Sequence, residues 1–151
     1  MNFTRSITQQ NRTLYKKLLK EISLEDLNTI PEGFSNNIFW NVAHVVVTQQ
    51  LLVYKLSGLP MYISDELVSK YRNKTKPEGD VTQAEVDEID DLLDSLLVKT
   101  EADLAAGIFK NYNTYTVSLG ATLSTVDEAI EFNNLHEGVH YGYILALKKA
   151  L

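Results

Sequence analysis

Apolar positions recur along most of this chain at helical rather than alternating spacing. Phe3, Ile7, Leu14, Leu18 and Ile22 fall on one stripe of a helix spanning about Thr4 to Ile22. Ser23 followed by Leu-Glu-Asp-Leu predicts a short capped helix, and Pro31-Glu-Gly predicts a loop. A second long helix is expected from about Asn37 to Ser57. Gly58 stands where a helix end wants a left-handed residue, and Pro60 blocks continuation. This segment is apolar nearly all round, so it is expected to be the most buried helix. Residues 61–80 read as a long connection with a short helix near Asp65 to Tyr71.

The third long helix opens at the capping box Thr82-Gln-Ala-Glu85, whose hydroxyl and carboxylate satisfy free backbone donors. Val86, Ile89, Leu93, Leu96, Leu97 and Leu104 form its apolar stripe as far as Gly107. The acidic run Glu85, Asp87, Glu88, Asp91 and Asp94 reads as a solvated face. Ile108 to Ala121, rich in Tyr, Thr, Asn and Gly, reads as an extended excursion. The fourth long helix starts at a second capping box, Thr125-Val-Asp-Glu128, and runs to Lys148-Lys149, whose charges suit the negative end of the helix dipole. No internal repeat, low-complexity tract or composition break divides the chain. The pattern therefore predicts one all-α domain over residues 1–151, a four-helix bundle. The long second connection has room for a crossover.

Charge narrows the partners. Fourteen basic residues against 20 acidic ones give a net charge of −6 over 151 residues. An acidic chain without basic clusters does not offer the surface that a phosphate backbone requires. The stretch from Met1 to Arg12 has no apolar core of a signal peptide. The longest apolar run, Val42 to Leu56, is interrupted by His44, Thr48, Gln49, Gln50 and Lys55 and cannot span a bilayer. A cytoplasmic protein with no nucleic-acid or membrane partner is expected.

The chain has no cysteine and three histidines. The first count excludes disulfides, thiolate ligands and cysteine nucleophiles. The second is informative through placement. His136 and His140 are one turn apart on one helix face, so both imidazoles reach a common point, as in metal-binding helices. His44 lies inside the most buried helix, where its ring nitrogens need partners or a metal. Wound at about 100° per residue, Asn37, Asn41, His44 and Thr48 share a narrow polar arc. Asn133, His136 and His140 offer a matching stripe on the fourth long helix. Each histidine alone could be a hydrogen-bonded core residue; the three together predict a metal site.

Three imidazoles leave coordination positions open, which favours catalysis over a closed structural site. A metal there lowers the pKa of bound water to about 7 or polarises a carbonyl or thiol. Such ligation suits Zn, Ni, Cu or Fe(II). Glu137 follows His136, but the second histidine comes one residue too late for the metalloprotease HExxH motif, and Glu137 points about 100° away. It reads as a supporting or surface residue. Asn41, Thr48 and Asn133 are candidates to orient a ligand or water, and Tyr143 to meet substrate. No residue is marked as the general acid or base. Gly138 and Gly142 leave room for another helix, either a bundle neighbour or a second copy.

The sequence resembles the DinB/YfiT-like superfamily. The likeness is carried by Trp40-Asn-Val-Ala-His44 and, 92 positions on, Phe132-Asn-Asn-Leu-His-Glu-Gly-Val-His-Tyr-Gly. It covers essentially the whole chain in length and helix order. The resemblance implies a four-helix bundle of unusual connectivity, a divalent metal (zinc or nickel foremost) held by His44, His136 and His140, and a homodimer. It implies a metal-dependent hydrolase or a thiol transferase acting on a small molecule. A thiol cosubstrate bearing carboxylates would want a basic cluster, and none is visible, which places hydrolysis first. A metal-binding or interaction bundle without catalysis is the alternative.

Overall fold

A computed structural model describes residues 3–151; Met1 and Asn2, which open the N-terminal stretch discussed above, lie outside the described residues. The first long helix, α1, spans Phe3–Glu21, and α2 is a short Leu24–Asn28 helix capped by the Ser23 side chain. The buried helix α3, Ile38–Gln50, starts where Asn37 accepts from the Trp40 amide and runs into a π-helical turn over Leu51–Lys55. Gly58, at φ 71°, then turns the chain. The 61–80 connection contains α4, Asp65–Tyr71. Both capping boxes form, at Thr82 for α5 (Gln83–Ala106) and at Thr125 for α6 (Val126–Ala150). Between α5 and α6 the extended excursion closes as a small antiparallel hairpin of β1, Tyr115–Thr116, and β2, Thr122–Leu123. The chain is an all-α bundle of α1, α3, α5 and α6 with this one small excursion.

The packing order differs from the chain order. Helix α1 lies against α6 and α5, and α3 lies against α6 and α5. Going round the bundle, the order is therefore α1, α6, α3, α5. The long 61–80 connection joins neighbours. The diagonal steps are instead from α1 to α3, through α2, and from α5 to α6, through the hairpin.

Almost every residue of α3 is buried, as its all-round apolarity predicts. The apolar stripe expected of α1 is only partly its inward face. Phe3 is 80% and Leu14 39% exposed, while Thr8, Arg12, Tyr15, Leu18 and Leu19 are buried. Polar residues displace apolar ones there because α6 presents polar partners to them: the Glu137 carboxylate to Arg12 and the Asn134 side-chain oxygen to Thr8. No helix among the described residues is long and apolar enough to cross a membrane.

Candidate metal centre

His44 on α3 meets His136 and His140 on α6, with one ring nitrogen of each within 4.8 Å of the others. The α3–α6 contact that closes the bundle brings them together across 92 positions of chain. His44 Nε2 and His136 Nε2 are 3.2 Å apart. The His44 ring is stacked on Trp40, with centroids 4.7 Å apart and planes within 9°. That stack fixes the plane of the ring, and the Trp40 indole N–H is in turn held by Thr75 Oγ1 at 3.1 Å.

Hydrogen bonds set the tautomers. His44 Nδ1–H donates to the Tyr71 carbonyl at 2.7 Å, so its Nε2 carries a lone pair. His140 Nδ1–H donates to Asn41 Oδ1 at 2.8 Å, which leaves its Nε2 as a second lone pair. The Asn41 amide cannot flip to spoil this. Its Nδ2 donates to the Asn37 carbonyl at 2.8 Å and to Asn36 Oδ1 at 3.0 Å. The Thr48 hydroxyl donates to His44 Nε2 at 3.3 Å. His136 Nδ1 is buried without a hydrogen-bond partner among the described residues.

All three rings are held neutral. Burial pushes His136 down to about 3, and the neighbouring His140, His44 and Arg12 push the same way. Burial and His44 lower His140 to about 4. Burial lowers His44 too, against a partial opposing effect of the Tyr71 carbonyl. His44 and His140 thus turn Nε2 lone pairs toward the cluster, and His136, whose tautomer no hydrogen bond among the described residues fixes, brings its Nε2 to 3.2 Å from that of His44. A cation can take a lone pair from each of the three neutral rings. At metal–nitrogen distances of about 2.0–2.1 Å, two ligands on a tetrahedron stand roughly 3.3 Å apart, close to the His44–His136 spacing. The donor set and its geometry fit a divalent metal.

The chain matches the model of the DinB superfamily over residues 7–144. The chain belongs to the DinB superfamily. A search of curated proteins gave no significant match.

In this DinB chain the histidines floor a cleft of about 630 Å³. Trp40, Leu52 and Phe132 form part of its walls, and Val117 and Leu119 bring the β1–β2 hairpin to its mouth. Tyr143 lines the rim with its ring edge-on to Phe34, centroids 5.7 Å apart. Asn41 and Thr48 touch the histidines directly.

Asn133 and Glu137 lie elsewhere. Both face α1, in a sealed polar cluster. Arg12 Nη2 donates to Glu137 Oε1 at 2.6 Å, and Asn133 Nδ2 donates to the same oxygen at 2.7 Å. The Tyr15 hydroxyl donates to the Glu137 carbonyl at 2.6 Å. Arg12 and Glu137 are fully buried. Burial pushes the Glu137 carboxyl up, while Arg12 and Asn133 pull it down. Gly138 and Gly142 have open space where a side chain would project, so no bundle helix occupies that side of α6.

Sequence reasoning did not single out Tyr71, Arg12 or the hairpin walls. Tyr71 acts through its backbone carbonyl, which leaves no trace in residue type. Arg12 reads as a surface charge on an amphipathic helix. Lys55, which also lines the cleft, was visible only as an interruption of the apolar run.

Proposed function

We propose that the chain is a metal-dependent enzyme that acts on a small molecule in the cleft, with His44, His136 and His140 as ligands. The observation that carries this reading is the convergence of three imidazoles on one point of an open cleft, two of them with Nε2 lone pairs turned inward by the Tyr71 carbonyl and Asn41. A structural zinc site would be closed by a fourth protein ligand. No fourth His, Cys, Asp or Glu joins the group among the described residues.

Bound there, a divalent cation supplies Lewis acidity, which polarises a substrate carbonyl and acidifies water. The protein does the rest. Trp40 and the Tyr71 carbonyl hold the His44 ring in plane and tautomer. Asn41 does the same for His140. The apolar walls offer a surface on which the nonpolar part of a substrate can bury itself. Thr48 and Tyr143 offer hydroxyls at the floor and the rim. Hydrolysis is favoured over transfer of a polyanionic thiol because, among the described residues, Lys55 is the one lysine or arginine lining the cleft.

The reading extends to a second copy of the chain. Leu135 and Val139 stand 54% and 58% exposed on α6, beside the open space over Gly138 and Gly142. Sedimentation of wild type and Val139→Lys tests this: a dimer that the charge dissociates is expected, and a monomeric wild type removes the pairing.

The main experiment is metal titration of chelator-treated protein by calorimetry, followed by turnover of ester, amide and thiol-adduct panels. One ion per chain and metal-dependent turnover of an ester or amide are expected. No binding at any tested divalent ion overturns the reading.

A further inference from the structure

The cleft is asymmetric along α3 and the π-helical turn. At one end are the three histidines. At the other is Lys55, eleven residues on from His44. Between them run Leu51 and Leu52, with Leu56 next to Lys55, and Phe132 and Val117 also line the cleft. Asn41 and Thr48, the polar groups nearest the histidines, already have partners there. Among the described residues, Lys55 is the one lysine or arginine that lines the cleft. It has no ion pair among the described residues. An unpaired cation at the end of an apolar trough, on a chain of net charge −6, is a site for an anion.

Helical rise sets the length. Eleven residues at about 1.5 Å each give roughly 16 Å, and the lysine stem reaches back toward the helix N-terminus, which leaves roughly 10–15 Å between ammonium and histidines.

We propose that the cleft takes an elongated, mainly apolar molecule bearing a single anionic group, with that group on Lys55 and the reactive, uncharged end over the histidines. The orientation rests on the metal-centre reading; the Lys55 contact does not. A second anionic group on the ligand finds no further lysine or arginine in the cleft among the described residues and weakens binding to the metal-free protein.

A homologous series isolates the charge: dimethyl sebacate, monomethyl sebacate and sebacate share one chain and carry zero, one and two negative charges. Trp40 is the chain's one tryptophan and lines the cleft, so its fluorescence reports occupancy. In chelator-treated protein at pH 7, the monoester is expected to saturate at one per chain and to bind more tightly than the other two. Lys55→Gln is expected to weaken the monoester about threefold to fivefold, as befits a partly exposed ion pair, and to leave the diester unchanged. Lys55→Arg is expected to restore it. Lys55 is exposed, so these variants fold. The proposal is overturned if the monoester does not saturate, if sebacate binds as tightly, or if Lys55→Gln weakens monoester and diester alike. A zinc titration of the same samples separates the two readings. Zinc binding with no Lys55 dependence removes this proposal and leaves the metal centre. Lys55-dependent monoester binding without zinc binding does the reverse.

Discussion

The side of α6 that faces α3 and the side that faces α1 both carry buried polar groups within residues 133–140. Toward α1, a donor meets an acceptor: the Arg12 guanidinium lies on the Glu137 carboxylate, with Asn133 on the same oxygen. The charges cancel and the cluster is sealed. Toward α3, two imidazole lone pairs are fixed inward by Tyr71 and Asn41, and His136 is pressed against them. That side is open to a cleft. Both clusters oppose the hydrophobic logic of a bundle core, and both keep buried polar atoms without a hydrogen-bond partner among the described residues: Arg12 Nε and Nη1, Asn133 Oδ1 and Glu137 Oε2 toward α1, His136 Nδ1 toward α3. What separates them is charge and access: toward α1 a cation and an anion pair away from solvent, and toward α3 three imidazoles converge on a cleft that a ligand can enter.

The comparison can be broken most strongly at Arg12. Arg12→Met strands a buried carboxylate and is expected to lower the unfolding free energy by about 3–5 kcal/mol in urea titration. Adding Glu137→Leu is expected to recover most of that, with metal affinity kept throughout. A loss below about 1 kcal/mol would mean that the pair is not sealed.

The opposite signature is expected on the other side. His140→Ala should reduce metal affinity by at least about 100-fold in a competition titration, since it deletes a ligand rather than a supporting partner. It should cost the metal-free protein no more than about 2 kcal/mol, because the ring is part-buried and its loss leaves one acceptor, Asn41 Oδ1, without its donor. Destabilisation of the metal-free fold by more than about 2 kcal/mol would instead make His140 a structural residue.

A smaller effect appears in acid. The folded-state pKa values of His136, at about 3, and His140, at about 4, lie below the unfolded value, and His44 is lowered too. The unfolded chain then binds protons that the folded chain refuses. The stability is fully present above about pH 6.5 and is lost as pH falls toward 4, at up to about 1.4 kcal/mol per pH unit for each histidine. Melting temperatures of metal-free protein between pH 7 and pH 4.5 should show this slope, and His136→Gln should flatten it. A pH-independent melting temperature would show that the rings are solvated.

The finest test is Asn41→Ala. It removes the acceptor that fixes the His140 tautomer, and about a tenfold loss of metal affinity is expected. Equal affinity would place the tautomer under other control.

Much of the bundle was legible because helices announce their ends locally. The capping boxes at Thr82 and Thr125, and Gly58 after the second long helix, need only neighbours in sequence to be read. The histidine cluster was legible because an i, i+4 pair and a lone histidine in an apolar helix each demand a partner. Helix α1 misled because stripe counting assumes an apolar inward face. Its inward face carries Arg12, whose partner Glu137 lies 125 positions away and looks like a solvent residue in its own helix. The order of helices round the bundle was hidden too. Periodicity gives length and face, and it says nothing of which neighbour a face meets.

That order governs how the chain reaches its native state. Adjacent helices in sequence can zip together as local hairpins, but here only α3 and α5 are both consecutive long helices and neighbours. Helix α1 must wait for α5 and α6, and α6 closes on partners made some hundred residues earlier. Loop closure therefore precedes most of the reward, so this chain folds more slowly than an up-and-down bundle of its length. The histidines assemble only with the docking of α6, so the ability to hold a ligand marks a finished molecule.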